Sequence, residues 1–200
     1  MEKIFEHLHH EGVTQNQILE AIGNIPEVPG MLSLLQYLRR PDCEVIILSD
    51  SNSVFISTWL EKYHLLDAIK QVYTNPAHFD ASGQLHVNKF HNQNWCTLSS
   101  VNMCKGHILD THINSRKAGG VIFTGIVYVG DGHNDFCPSL RLSAGDHVFV
   151  RYGFSLEKMI KDKSPEHGEV KASIHMWRTG DDILHVIKSS IIKDGNTGSG

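Results

Sequence analysis

The chain has 200 residues, 40% of them hydrophobic, with 18 Lys and Arg against 22 Asp and Glu for a net charge of −4. That length suits one ordinary domain with a real core, and a slightly acidic chain lacks the broad basic surface that a nucleic-acid partner requires. No apolar run reaches the ~20 residues of a membrane span, and the start, Met1-Glu2-Lys3-Ile4-Phe5-Glu6-His7, is amphipathic rather than signal-like.

In chain order, residues 2–25 read as two helices, with Ile4, Phe5 and Leu8, then Ile18, Leu19 and Ile22, at helical spacing. Thr14 with Gln17 forms a capping-box pattern ahead of the second. Pro26 and Pro29-Gly30 break the pattern, and a helix resumes over Met31 to Arg39. Glu44-Val45-Ile46-Ile47-Leu48 is a β-branched run suited to a buried parallel strand. It ends in Ser49-Asp50-Ser51-Asn52-Ser53, and Val54 to Tyr63 is again helical. Val72-Tyr73-Thr74 reads as a short strand. Gly83 marks a turn before a hairpin arm, Leu85-His86-Val87. Residues 90–103 form a polar, Asn-rich loop, and Cys104 to Lys117 a helix. A buried strand over 126–129 runs into Gly130-Asp131-Gly132-His133-Asn134-Asp135, followed by a helix through about Leu142. His147-Val148-Phe149-Val150 is expected as the last core strand, with helices over about 154–162 and 181–192. Alternating strands and helices predict an α/β domain with a Rossmann-like parallel sheet and helices on both faces. The tail, 193–200, is expected to be flexible.

The acidic loop is the most informative stretch. Asp131 and Asp135 lie four residues apart just past a strand end, where open α/β sheets bind ligands. A hard cation such as Mg²⁺ takes one or two carboxylates in such a place; the competing reading is turn chemistry, since Asp and Asn bond their own backbone. Ser49-Asp50-Ser51-Asn52 also sits at a strand-to-helix junction, where hydroxyls, an amide and free N–H groups can hold an anion, or where Ser51 or Asn52 simply caps the helix. Lys105 opens a helix against the macrodipole, so it either meets a bound anion or is solvated. His91, Cys96 and Cys104 match no standard zinc spacing, and no zinc site is expected; Cys137 is expected to pack as a small apolar side chain. Four cysteines without a disulfide pattern place the chain by default in a reducing cytoplasm.

Together these pieces resemble the haloacid dehalogenase superfamily of phosphatases, and within it the phosphoethanolamine/phosphocholine and pyridoxal-phosphate phosphatase family. The likeness rests on four ordered stretches: residues 47–56, Tyr73-Thr74-Asn75-Pro76, Asn102-Met103-Cys104-Lys105, and residues 127–138. It implies a Mg²⁺-dependent phosphatase of small phosphorylated metabolites that works through an aspartyl-phosphate. In that scheme Ser49 hydrogen-bonds the transferring phosphoryl group, with Asp50 and Asn52 beside it on the substrate. Lys105 neutralises charge, Asp131 holds Mg²⁺, and Asp135 supports that shell. It further implies a partial helical cap over 1–30 and a core over 31–192.

The chain departs from the pattern in two places. Such enzymes open with a strand ending Asp-x-Asp-x-Thr that carries the nucleophile and the acid/base, and no such segment precedes residue 44. On that resemblance the chain is expected to start inside the cap, without the first central strand between the strands at 44–48 and 126–129, and its activity is expected to be crippled. Relatives also carry Cys-x-x-Cys-Pro where this chain has Cys96 alone. An alternative makes Asp50 the nucleophile, with Asn52 in the acid/base place; Asn cannot do that work. A second class of reading is a non-catalytic phosphate- or metal-binding remnant. A dinucleotide-binding domain is disfavoured, because no Gly-x-Gly-x-x-Gly follows an N-terminal strand.

Overall fold

The computed structural model describes residues 2–162 and 168–192; the tail assigned to 193–200 lies outside the described residues. Local chemistry sets the first elements, α1 (Glu2–His10) and α2 (Gln15–Gly23). Gln17 N–H donates to Thr14 Oγ1 (3.3 Å) and Thr14 N–H to Gln17 Oε1 (2.8 Å), the capping box that the sequence predicts. After Gly30 come α3 (Met31–Tyr37), β1 (Ile46–Asn52) and α4 (Ser53–Lys62). Next, β2 (Gln71–Asn75) lies parallel beside β1, and β3 (Ala77–Phe79) pairs antiparallel with β4 (Leu85–Val87). The remainder is α5 (Lys105–Ala118), β5 (Val127–Gly130), a short α6 (Phe136–Ser139), β6 (His147–Arg151), α7 (Ser155–Lys161), β7 (Ser173–Trp177) and α8 (Gly180–Val186). Directly after α8, Ile187–Ile191 form a π turn.

The side-chain period of two along a strand sorts the helices into two layers. Val148 and Val150 of β6 pack with Leu109 of α5, Phe136 of α6 and Leu156 of α7. Phe149, between them, faces the other way, onto Leu34 of α3 and Ile183 of α8. The same alternation holds in β1. Ile46 and Leu48 join the layer of α5, whereas Ile47 joins Leu32, Leu35 and Leu60 of α3 and α4. Helices therefore cover both faces, and α3 spans the two halves of the sheet. Among the described residues the parallel strands form two separate pieces, β1-β2 and β5-β6-β7. The N-terminal helices pack on the outside of α4, with Trp59 Nε1 donating to the Ile25 carbonyl at 3.1 Å and Phe5 of α1 edge-on to Phe55 at 5.6 Å between ring centres.

Three expectations need correction. First, β1 does not stop at Leu48. Its register with β2 slips between Ser49 and Asn52, so Asp50 and Ser51 bulge from the ladder. Asn75 Nδ2 donates to their carbonyls at 2.8 and 2.9 Å, replacing the missing ladder bonds. Second, the helix expected through Leu142 ends at Ser139. The Asp146 carboxylate accepts the N–H groups of Ser143 (2.7 Å) and Ile126 (2.9 Å) and turns the chain into β6. Third, β6 is not the last core strand, because β7 pairs with it in parallel. Ile174 and Met176 of β7 are exposed, so this edge strand lacks the buried apolar run that marks its neighbours. His112 is buried, bridging Tyr73 (2.9 Å) and Glu44 (2.8 Å).

The tightest backbone approach joins α3 to α8. Gly180 N–H donates to the Pro29 carbonyl at 2.8 Å, and a Cβ on Gly180 would lie 2.3 Å from the carbonyl of Gly30. Gly180→Ala must push the two helices apart. It is expected to cost about 2–3 kcal/mol, lowering the thermal midpoint by about 5–10 °C in a circular-dichroism melt. An unchanged midpoint would contradict this packing.

Candidate active site

The loop after β5 is built around one carboxylate. Asp135 is buried, and its Oδ2 accepts the N–H groups of Asp131 (3.0 Å) and Gly132 (2.9 Å). Its Oδ1 accepts from Lys105 Nζ and from Tyr128 Oη, both at 2.7 Å. Four donors leave it no free lone pair in the plane of the site. Gly130 makes this possible, since a Cβ there would lie 2.7 Å from Asp135 Cβ. Burial, then the charge of Asp135, pushes the Tyr128 phenol well above its usual range, so Tyr128 stays a donor.

Asp131 differs from Asp135. Its side chain is 45% exposed, and Arg151 approaches its Oδ2 at 3.4 Å. Its carbonyl is fixed by the N–H of Leu156 at 3.0 Å, at the start of α7. The carboxylate thus stands beyond the strand end on a backbone held from both sides. Of the two acids, Asp131 has oxygens to offer a cation, while Asp135 shapes the loop, the turn chemistry that the sequence also allowed. Lys105 is not the solvated side chain that one reading allowed: it is buried against Asp135, with side-chain exposures of 9% and 6% for the pair.

The end of β1 meets this loop through amides. Asp50 accepts from Asn102 Nδ2 at 3.3 Å and from Asn134 Nδ2 on the acidic loop. Asn102 also donates to Asn75 Oδ1 at 3.2 Å. Ser49 Oγ accepts the N–H of Ser51 at 3.2 Å. Asn52 is fully buried; its Oδ1 caps α4 by accepting from Phe55 N–H at 3.0 Å, and its Nδ2 has no hydrogen-bond partner. The structure brings Asp50, Lys105, Asp131 and Asp135 to the carboxyl ends of β1 and β5, while Asn52 is spent mainly on a helix cap. Sequence reasoning assigned no role to Asn75, Asn102, Tyr128 or Asn134. Their signal was their place inside the four matching stretches, where buried amides need partners. A surface cleft of about 450 Å³ lies elsewhere, at the amino end of β1 among Arg39, Glu44 and Arg116. The strand-end rule, not cleft size, locates the chemistry.

Three thiols meet beside this loop. Cys137 is buried in the core, as expected of a small apolar side chain, and its Sγ is 3.5 Å from that of Cys96 and 3.8 Å from that of Cys104. Burial and the neighbouring thiols push Cys137 up to about 12. Cys96 lies below the usual thiol value, because hydrogen bonds from its surroundings, Ser99 first, outweigh its partial burial.

A parallel α/β sheet whose strand ends gather an open carboxylate, a buried lysine and an amide-held aspartate is the framework of a haloacid dehalogenase-type phosphatase. The family model described as Putative Phosphatase matches residues 1–191, and the chain belongs to this family of phosphoric monoester hydrolases. It is 38% identical over 188 residues to the Mus musculus protein named Pyridoxal phosphate phosphatase PHOSPHO2, covering 92% of this chain and 77% of that one. It is 37% identical over 194 residues to Probable phosphatase phospho1 of Danio rerio, covering 94% and 69%. It is 33% identical over 190 residues to the Homo sapiens Phosphoethanolamine/phosphocholine phosphatase, covering 93% and 71%. Among solved structures, cytosolic 5'-nucleotidase IIIB bound to cytidine shares 12% identity at a TM-score of 0.48, over 86% of this chain and 55% of its own, too remote a likeness to carry an argument.

The Lys105–Asp135 pair makes an asymmetric prediction. Asp135→Ala strands a buried lysine and two loop N–H groups and is expected to cost about 3–5 kcal/mol. Lys105→Met leaves Asp135 with three donors and is expected to cost about 1–3 kcal/mol. Urea melts of the two variants check the order; equal losses would contradict the arrangement.

Proposed function

We propose that this chain supplies the phosphate- and metal-handling residues of a Mg²⁺-dependent phosphatase of small phosphomonoesters, namely phosphoethanolamine, phosphocholine or pyridoxal phosphate, acting through an aspartyl-phosphate in the cytoplasm. The observation that carries the reading is the division of labour between Asp131 and Asp135: one carboxylate is open at the strand end, and the other is fully engaged in holding it there. The names of the relatives support the substrate class, and four free thiols suit a reducing compartment. Among the described residues no helix is long and apolar enough to cross a membrane.

The donor set fits a hard cation. Asp131 offers carboxylate oxygens, and Mg²⁺ usually keeps water on its remaining positions. Bound there, Mg²⁺ would draw charge from the transferring phosphoryl oxygens. Lys105 is locked by one of its three ammonium hydrogens to Asp135, which leaves two for phosphate. Being buried, it acts as a fixed charge that needs no reorganisation during transfer. The Ser49 oxygen accepts from Ser51, and its own proton is left to donate to a phosphate oxygen. Asp50 is oriented by Asn102 and Asn134 on the substrate side.

The 200 residues themselves are expected to bind phosphate without turning it over. If Asp50 were the nucleophile, Asn52 would stand in the acid/base place, but Asn52 caps α4 and an amide cannot exchange the proton. Calorimetric titration with vanadate, in the presence and absence of Mg²⁺, tests the reading. Binding is expected to require Mg²⁺ and to fall at least about tenfold in Asp131→Asn, the loss of one ion–carboxylate contact. Equal binding without Mg²⁺, or in the variant, would refute the metal assignment. Turnover of a chromogenic phosphate ester that disappears in Asp50→Ala would instead restore Asp50 as nucleophile.

A further inference from the structure

We propose that Cys96, Cys104 and Cys137 form a three-thiolate site for zinc(II). The three sulfurs come from three segments: the 90–103 loop, the residue that opens α5, and α6. All lie within 4.8 Å of one another. A tetrahedral ion with bonds of about 2.3 Å to sulfur needs sulfur–sulfur separations of about 3.8 Å. The two shorter separations, 3.5 and 3.8 Å, match that requirement. A three-ligand zinc site completes its tetrahedron with water, and Cys96, which is only half-buried, lies on the side from which water can enter.

The surroundings hold the sulfurs in place. Gln93, 2% exposed, winds the loop around Cys96: its Nε2 donates to the carbonyls of Cys96, Ser99 and Ser100, and its Oε1 accepts the Cys96 N–H. Cys104 is held by its N–H, which donates to His91 Nε2 at 2.8 Å. That bond commits His91 to the backbone, so it is not the fourth ligand. Gly106 leaves room for the third sulfur, since a Cβ there would stand 2.6 Å from Cys137 Sγ. Three thiolates around a divalent ion leave one negative charge. The Arg141 guanidinium near Cys137 and the N-terminus of the 14-residue α5 both offset it. A thiophilic ion here would tie the loop to the two residues on either side of the Lys105–Asp135 pair, because Cys104 precedes Lys105 and Cys137 follows Asp135 by two positions.

The test uses the reduced 200-residue chain under anaerobic conditions, titrated with cobalt(II) as a spectroscopic stand-in for zinc. One equivalent is expected to produce a sulfur-to-cobalt charge-transfer band and tetrahedral d–d bands, and zinc is expected to abolish both. Cys96→Ser, Cys104→Ser and Cys137→Ser are each expected to lose the charge-transfer intensity, while Cys43→Ser and Asp131→Asn retain it. Ser99→Cys serves where a cysteine loss unfolds the chain. Its Oγ stands 3.4 Å from Cys96 Sγ, and a fourth sulfur there is expected to tighten binding about tenfold or more. The proposal is overturned if a folded, reduced chain takes up no cobalt, if the bands survive in Cys96→Ser and Cys137→Ser, or if they persist in denaturant. It is also overturned if Ser99→Cys binds no tighter, or if the thiols close a Cys96–Cys137 disulfide and bind no cobalt on re-reduction.

Discussion

Four donors converge on the Asp135 carboxylate, and the geometry of the strand ends depends on that convergence. Lys105 reaches it from the start of α5, Tyr128 from within β5, and two N–H groups from the loop itself. A buried carboxylate left unsatisfied is costly, and four donors satisfy this one. The acid thereby fastens a helix, a strand and a loop at one point. A lysine at a helix N-terminus is unfavourable by itself; paired with Asp135 it becomes a fixed cation in a low-dielectric place.

The second constraint lies across the gap between β1 and β5. These strands share no backbone hydrogen bonds, so side chains make the connection. Apolar packing joins them on both faces, through Ile46 and Leu48 on one side and through α3 on the other. At the carboxyl ends the link is polar, with Asn134 and Asn102 converging on Asp50. Asn75 fills the bulge in β1 that presents Asp50 to these amides. Three asparagines thus align the end of β1 with the acidic loop of β5, which is the alignment that the proposed phosphoryl transfer needs, since its catalysis is chiefly positioning and charge.

Much of this was legible in the chain. Thr14 with Gln17 specifies a helix start within four residues, and both reciprocal bonds are present. The β-branched runs at 45–48 and 126–129 specify strands, although the structure leaves them largely half-buried, with Val129 exposed. Asp50, Lys105, Asp131 and Asp135 stand out as candidates from their places next to those strands and in the four matching stretches. The misses share a cause. β7 alternates weakly because it lies at an edge, and β1 runs on past Leu48 because Asn75, a residue on another strand, satisfies its bulge. That Cys96 lies beside Cys137 was not legible because the two are 41 residues apart in sequence.

The sequence by itself determined the order of strands and helices, the helix caps, the apolar faces and the family to which the chain belongs, since each of these follows from residue type and spacing over a few positions. Only the tertiary structure decided which aspartate of the acidic loop is open and which is consumed, that Lys105 is buried in an ion pair, that Asn52 is spent on a cap, and that three distant thiols meet. Those outcomes depend on which groups compete for one donor or one lone pair once the chain is folded, and that competition is between residues that local spacing does not connect.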